Sequence, residues 1–153
     1  MEPLKSILLA EDSAKDVELT LAALAEHHLA NEVTVARDGA EALDYLYCRG
    51  KYAMRNKGNP AVILLDLKMP KVDGLEVLRT VKSDPQLQSI PVVMLTSSRE
   101  EADLVTSYQL GVNAYVVKPV DFKAFMQAVK DVGVFWAILN ERPPGSVKKT
   151  ATK

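Results

Sequence analysis

The chain has 153 residues, of which 48% are apolar and 25% are charged, and its formal net charge is −1. This length suits one domain with a substantial core, and the near-zero charge argues against general electrostatic binding to nucleic acid or an anionic membrane. The apolar run near the N-terminus is too short for a signal peptide, and no other run reaches the length of a membrane span. The single cysteine, Cys48, excludes an internal disulfide, so we expect a cytoplasmic protein.

Five short apolar runs are predicted to be strands, at residues 6–10, 32–36, 61–65, 91–95 and 113–117. Three of these runs are continuously apolar, which is typical of strands buried on both faces of a parallel sheet covered by helices. Between the runs lie helical patterns, predicted at 14–29, after Gly39, at 74–82, and from Ser98 to near Gly111. The pattern therefore predicts an α/β fold with a doubly wound five-stranded parallel sheet.

A fifth helix is predicted to begin at Asp121, where apolar residues recur every three or four positions as far as Leu139. Residues 1–142 are expected to form one domain, and the polar segment 143–153 is expected to be a disordered tail. The basic segment 49–60 is predicted to be a loop that is solvated rather than a binding patch, with contact to a partner as the alternative. We expect no output domain after the fifth helix, and therefore no DNA binding of the helix-turn-helix kind.

Polar residues follow four of the predicted strands at the point where each strand ends: Glu11 with Asp12, then Asp66, Thr96 and Lys118. In a doubly wound sheet the carboxyl ends of parallel strands meet at one edge, which is where such folds bind ligands. Clustered carboxylates need a compensating cation, and oxygen ligands without histidine or cysteine suit Mg²⁺. A lysine and a hydroxyl beside that ion would complete a phosphoryl site, in which a carboxylate can serve as nucleophile.

Each of these residues also has a simple structural explanation when it is taken alone. Glu11 and Asp12 could cap the first helix, Asp66 could be a turn residue, Thr96 could be a cap, and Lys118 could be a solvated surface charge. One shared site explains all of them together, whereas the separate explanations require several coincidences.

With these residues in place, the sequence resembles the receiver domains of two-component response regulators over residues 5–131. The resemblance is carried by the segments LLAED (8–12), LLDLKMPKVDG (64–74), LTSS (95–98) and AYVVKP (114–119). It implies a flavodoxin-like fold with strand order 2-1-3-4-5. It also implies a single-domain regulator that is phosphorylated in a histidine-to-aspartate phosphorelay and signals through protein contacts, with no enzymatic activity beyond its own phosphorylation and dephosphorylation.

The resemblance assigns a role to each strand-end residue. Asp66 would be the phosphoacceptor, and Mg²⁺ would be held by Glu11, Asp12, Asp66 and the backbone carbonyl of Lys68. Thr96 and Lys118 would contact phosphoryl oxygens, and Tyr115 would follow Thr96 in the activation switch. Many family members carry aspartate where this chain has Glu11, and both residues are familiar there.

More narrowly, the chain resembles stand-alone regulators that are paired with bacterial phytochrome kinases. This resemblance is carried by the segments EDSAKDVELT (11–20) and NEVTVARDGAEALDYL (31–46), the long loop 49–60, and the ending FWAILNERPP (135–144). It implies a phytochrome-type sensor histidine kinase as partner, with any chromophore in the kinase. The family resemblance also implies that the kinase docks on the first helix and the loop after the fifth strand, at Ser13, Asp16, Leu19 and Val120.

Three other functions could use the same residues. A phosphoryl shuttle to a histidine phosphotransfer protein fits the same site. An aspartyl-nucleophile phosphatase would need a second aspartate two positions after the first, where this chain has Lys68. A phosphate-independent interaction module would be expected to lack some of the site residues, and none is missing here.

A homodimer is also predicted, because the fifth helix carries more apolar surface than one sheet can cover. The surplus includes Phe135, Trp136 and Ile138, and a large exposed apolar patch usually marks an interface. Twofold pairing would let one such patch cover its own copy.

Overall fold

A computed structural model describes residues 6–26, 32–55, 58–97 and 100–118. Its strands are β1 (Ser6–Ala10), β2 (Glu32–Ala36), β3 (Val62–Leu65), β4 (Val92–Thr96) and β5 (Ala114–Val117). Its helices are α1 (Ala14–Glu26), α2 (Gly39–Leu46), α3 (Gly74–Ser83) and α4 (Glu101–Gln109), with a short 3₁₀ turn at Gly50–Tyr52. Each lies within a few residues of its predicted position.

The strands form one parallel sheet in the order β2-β1-β3-β4-β5, which confirms the predicted fold. A helix follows each of β1 to β4 and returns the chain to the opposite edge of the sheet, as parallel pairing requires. The central strands β1 and β3 are covered by helices on both faces of the sheet, and their side chains from Ile7 and from Val62 onward are buried. This burial explains why they are continuously apolar in sequence.

Alternate residues of each strand enter two separate cores. Leu8 and Ala10 pack on one face of the sheet with buried residues of α2 and α3, including Leu78. Ile7 and Leu9 pack on the other face with α1. The two-residue period of a strand thus divides one apolar run between two layers of helices.

Polar caps begin three of the helices at the carboxyl edge of the sheet. Ser13 Oγ accepts a hydrogen bond from the Asp16 backbone nitrogen (3.2 Å) at the start of α1. Asp38 Oδ1 and Asp73 Oδ1 accept from the backbone nitrogens of Glu41 (2.8 Å) and Glu76 (3.0 Å), at the starts of α2 and α3. The structure therefore shows Ser13 as the cap of α1.

The segment predicted to be a solvated basic loop is instead tied to the domain, so that prediction was wrong for its arginine. Arg55 Nε donates a hydrogen bond to the Tyr45 carbonyl oxygen (2.7 Å), and its guanidinium carbon lies 4.0 Å from the centroid of the Tyr45 ring. Lys51 pairs with Glu41 at 2.5 Å. Arg55 is held because Tyr45 of α2 presents both its carbonyl oxygen and the face of its ring to the guanidinium group.

Several predictions fall outside the described residues: the fifth helix, the tail 143–153, Val120, and the dimer residues Phe135, Trp136 and Ile138. Among the helices that are described, none is both long enough and apolar enough to cross a membrane.

Candidate functional site

Asp66 lies directly after β3, at the centre of the carboxyl edge of the sheet. Its backbone nitrogen donates a hydrogen bond to the Ala10 carbonyl oxygen (2.9 Å), so β1 holds it in place, and its side chain is mostly buried. The loop that follows returns closely over it, because the Gly74 nitrogen donates to the Leu67 carbonyl oxygen at 2.7 Å. Any side chain at Gly74 would collide with the Asp66 carbonyl oxygen, which explains the glycine at the start of α3.

Three carboxylates converge at this edge, as the sequence predicts. Glu11, Asp12 and Asp66 each offer one oxygen, and these atoms all lie within 4.8 Å of one another. Glu11 is buried, whereas Asp12 is exposed at the mouth of the site. Burial raises the pKa of Glu11 to about 7. The hydrogen bond with Lys118 acts to lower this pKa, and the charge of Asp66 acts to raise it. A hard divalent cation with oxygen ligands would fit this donor set and relieve the repulsion.

Lys118, which follows β5, is the cation of this site within the described part of the chain. Its Nζ atom donates to Glu11 Oε1, donates to Asp16 Oδ2 at 3.0 Å, and lies 3.6 Å from Asp66 Oδ2. Burial alone would lower the pKa of Lys118. The hydrogen bonds to Glu11 and Asp16 and the nearby charges outweigh that effect, so its pKa is raised and it stays an ammonium.

Thr96 ends β4 beside Lys118. The Lys118 backbone nitrogen donates to the Thr96 carbonyl oxygen at 2.8 Å, and only 1% of the Thr96 surface is exposed. Tyr115 is partly buried on β5, where it is in register with Met94 and packs against the core formed with α2 and α3. The sheet thus places the two predicted switch residues on neighbouring strands.

The remaining predicted site residues lie around this cluster. The Lys68 side chain is exposed, which is compatible with a role for its backbone carbonyl alone. Ser13 caps α1, and its backbone nitrogen donates to Glu11 Oε2 at 3.2 Å. Leu19 is 58% exposed, so its side chain is accessible to another protein.

One contact was missed from the sequence. Asp16 was predicted only as a docking residue, yet its carboxylate binds the Lys118 ammonium. An acidic residue in the first turn of α1 was the only hint of this contact in the sequence. Its partner lies 102 residues further along the chain.

Comparison with known proteins agrees with this geometry. Residues 7–130 match the family described as the response regulator receiver domain. The chain is 42% identical over 134 residues to response regulator Rcp1 of Synechocystis sp., covering 88% of this chain and 90% of that protein.

Solved structures are similar as well. The bacteriophytochrome response regulator RtBRR is 67% identical with a TM-score of 0.82, covering 94% of this chain and 86% of that one. The Mn²⁺-bound form of Rcp1 is 40% identical with a TM-score of 0.73, covering 91% and 99%. The phosphorylated cyanobacterial phytochrome response regulator RcpA is 45% identical with a TM-score of 0.73, covering 87% and 94%.

Proposed function

Because this chain belongs to the family of response regulator receiver domains, we propose that it accepts a phosphoryl group on Asp66 in a histidine-to-aspartate phosphorelay. The observation that carries this proposal is the convergence of Asp66 with two further carboxylates and a lysine at the carboxyl edge of the sheet. The protein is thus a component of two-component signalling rather than an enzyme acting on a separate substrate.

The proposed reaction transfers a phosphoryl group from phosphohistidine or from an acyl phosphate. A carboxylate oxygen of Asp66 forms the new bond to phosphorus while the bond from phosphorus to the donor nitrogen or oxygen breaks, and the donor leaves with that electron pair. The Lys118 ammonium, already 3.6 Å from Asp66, and the Thr96 hydroxyl would then contact the phosphoryl oxygens. Neither residue needs to change its protonation state.

We propose Mg²⁺ as the cation, held by the carboxylates of Glu11, Asp12 and Asp66 and by the Lys68 backbone carbonyl. When bound, this ion would supply the positive charge that lets an anionic phosphoryl group approach a cluster of carboxylates. The all-oxygen donor set and the Mn²⁺-bound form of Rcp1 support a divalent cation here.

Phosphorylation is proposed to act through Thr96 and Tyr115. A phosphoryl group on Asp66 would draw the Thr96 hydroxyl toward it, and Tyr115 on the adjacent strand would move into the space released. This is a shift between two conformations that a local change of charge biases. Thr96→Ala is then expected to accept phosphate but to lose the phosphorylation-induced shift of the Tyr115 NMR signals.

We propose a phytochrome-type sensor histidine kinase as the phosphoryl donor, supported by the similarity to RtBRR and RcpA. Its docking surface would be Ser13, Asp16 and Leu19 on α1, with Val120. Leu19→Asp should slow transfer from the kinase but not from acetyl phosphate, because the small donor needs no docking surface. Equal slowing with both donors would contradict this surface.

Downstream, we propose that the phosphorylated protein signals through protein contacts in the cytoplasm, or passes its phosphoryl group to a histidine phosphotransfer protein. Self-association through Phe135, Trp136 and Ile138 stands as a further proposal. Sedimentation of wild type and Phe135→Glu, with and without phosphorylation, tests it. A wild-type protein that is monomeric in both states would contradict the dimer.

The phosphoacceptor is tested with acetyl phosphate and Mg²⁺, measuring phosphate uptake by intact mass. Asp66→Asn should take up none, because an amide is not a competent nucleophile. A matched control is Asp44→Asn on α2, which makes the same chemical change in an exposed ion pair with Arg49. Undiminished uptake by Asp66→Asn would contradict the assignment.

A further inference from the structure

The Lys118 ammonium lies close to two carboxylates that can compete for it, besides that of Glu11. Asp16 Oδ2, in the first turn of α1, is at 3.0 Å, and Asp66 Oδ2 is at 3.6 Å. We infer that Asp16 is a positioning residue that holds Lys118 toward α1 in the unphosphorylated protein and so slows phosphorylation of Asp66. This inference rests on the proposed function, because it assigns Lys118 to the phosphoryl group.

The position of Asp16 is set by the local structure of α1. Its backbone nitrogen donates to the Ser13 capping hydroxyl at 3.2 Å, which fixes the first turn, and its carboxylate Oδ2 then lies 3.0 Å from Lys118 Nζ. Asp16 does not belong to the group of three carboxylates whose oxygens converge within 4.8 Å. Its contact therefore concerns the lysine rather than the proposed metal.

The competition follows from where the ammonium group is held and from the charge of Asp16. Two of the three Lys118 N–H groups donate to Glu11 and Asp16, while Asp66 at 3.6 Å is beyond hydrogen-bonding distance. A phosphoryl group on Asp66 would need the lysine to turn toward it. The Asp16 charge opposes this step twice, because it attracts the ammonium and repels the incoming anion.

Asp16 is the partner that can be exchanged most easily. The Asp16 side chain is 36% exposed, so water can replace its contact, whereas the Glu11 side chain is buried. Lys118 itself is only 11% exposed and keeps its contact with Glu11. Losing Asp16 should therefore release the lysine toward Asp66 without leaving it disordered.

The test compares initial rates of phosphorylation by acetyl phosphate with Mg²⁺. Asp16→Asn should be faster than wild type by about two- to fivefold, the range expected for a partly exposed ion pair. Asp16→Glu keeps the carboxylate and should stay near the wild-type rate. Glu18→Gln, which removes a negative charge from an exposed position on the same helix, is the matched control and should leave the rate unchanged.

A second measurement follows the lysine directly in metal-free, unphosphorylated protein. The side-chain Hε–Cε NMR signal of Lys118 should shift in Asp16→Asn and stay in place in Glu18→Gln. An unshifted signal, or an Asp16→Asn rate that does not exceed that of Glu18→Gln, overturns the inference while phosphorylation of wild type still supports the proposed function. If wild type takes up no phosphate, the proposed function is overturned and the inference falls with it.

Discussion

Two partly buried lysines lie at opposite ends of the sheet and have opposite surroundings. Lys118, at the carboxyl edge, is surrounded by the carboxylates of Glu11, Asp16 and Asp66. Lys82, at the end of α3, donates to the Gln88 and Ile90 carbonyl oxygens and to Asn113 Oδ1, at 3.1, 2.9 and 3.1 Å. These acceptors precede β4 and β5, so Lys82 marks the amino edge.

The two environments shift the pKa values of the two lysines in opposite directions. Burial lowers the pKa of Lys82, and no carboxylate within residues 6–26, 32–55, 58–97 and 100–118 forms an ion pair with it. Burial acts on Lys118 in the same direction, but its carboxylate neighbours reverse the shift and raise its pKa. At the amino edge Lys82 is thus held by neutral acceptors, whereas at the carboxyl edge Lys118 is surrounded by several carboxylates.

Removing the divalent cation should produce the largest effect. If the carboxyl edge needs a cation before it accepts a phosphoryl group, EDTA should lower the rate of acetyl phosphate uptake by at least about a hundredfold. Added Mg²⁺ or Mn²⁺ should restore it, and Asp12→Asn should need more metal for the same rate. A rate that EDTA leaves unchanged would show that no metal acts at this edge.

Substituting methionine for each lysine should distinguish the roles of the two edges. Lys118→Met should slow phosphorylation by about tenfold or more, because a charged donor to the phosphoryl group is lost. Lys82→Met should leave that rate unchanged but lower the free energy of unfolding by about 1–3 kcal/mol, because three acceptors lose their donor.

Denaturant unfolding and initial rates, measured on the same preparations, check both effects. Lys51→Met is the control for the effect on stability. Lys51 is 67% exposed, so its ion pair with Glu41 should contribute less than about 1 kcal/mol to the free energy of unfolding. A Lys82→Met protein that unfolds like wild type would contradict the view of the amino edge as a structural network.

The smallest predicted effect concerns two helical serines. Ser107 on α4 is fully buried, and its hydroxyl finds no hydrogen-bond partner in the part of the chain described here. Ser83 on α3 donates to the Arg79 carbonyl oxygen at 2.8 Å. Ser107→Ala should raise the free energy of unfolding by about 0.5–1 kcal/mol, since it removes an unsatisfied group and favours the helix. Ser83→Ala should not raise the free energy of unfolding. Equal changes in the two variants would contradict this prediction.

The sheet and the carboxylate cluster could be predicted because both follow from local sequence. Strands buried on two faces appear as short apolar runs, and the residues after them must meet at one edge of a parallel sheet. Asp66, Thr96 and Lys118 were therefore predicted from position alone, and the structure places them together.

Contacts that depend on the path of a side chain could not be predicted in this way. The pair formed by Asp16 and Lys118 joins two ends of the chain through one carboxylate of α1. Arg55 lies in the segment predicted to be a solvated loop, and only the folded position of Tyr45 shows that its side chain is held. Neither contact has a period or a motif that would reveal it.

If Asp66 at the carboxyl edge of the sheet is the phosphoacceptor, the phosphate can be located there chemically. Protein treated with acetyl phosphate and Mg²⁺ is reduced with borohydride, which converts an aspartyl phosphate to homoserine, and its peptides are sequenced by mass spectrometry. Homoserine is expected at position 66 alone. Modification of Glu11 or Asp12 in place of Asp66, or no modification at this edge, would contradict it.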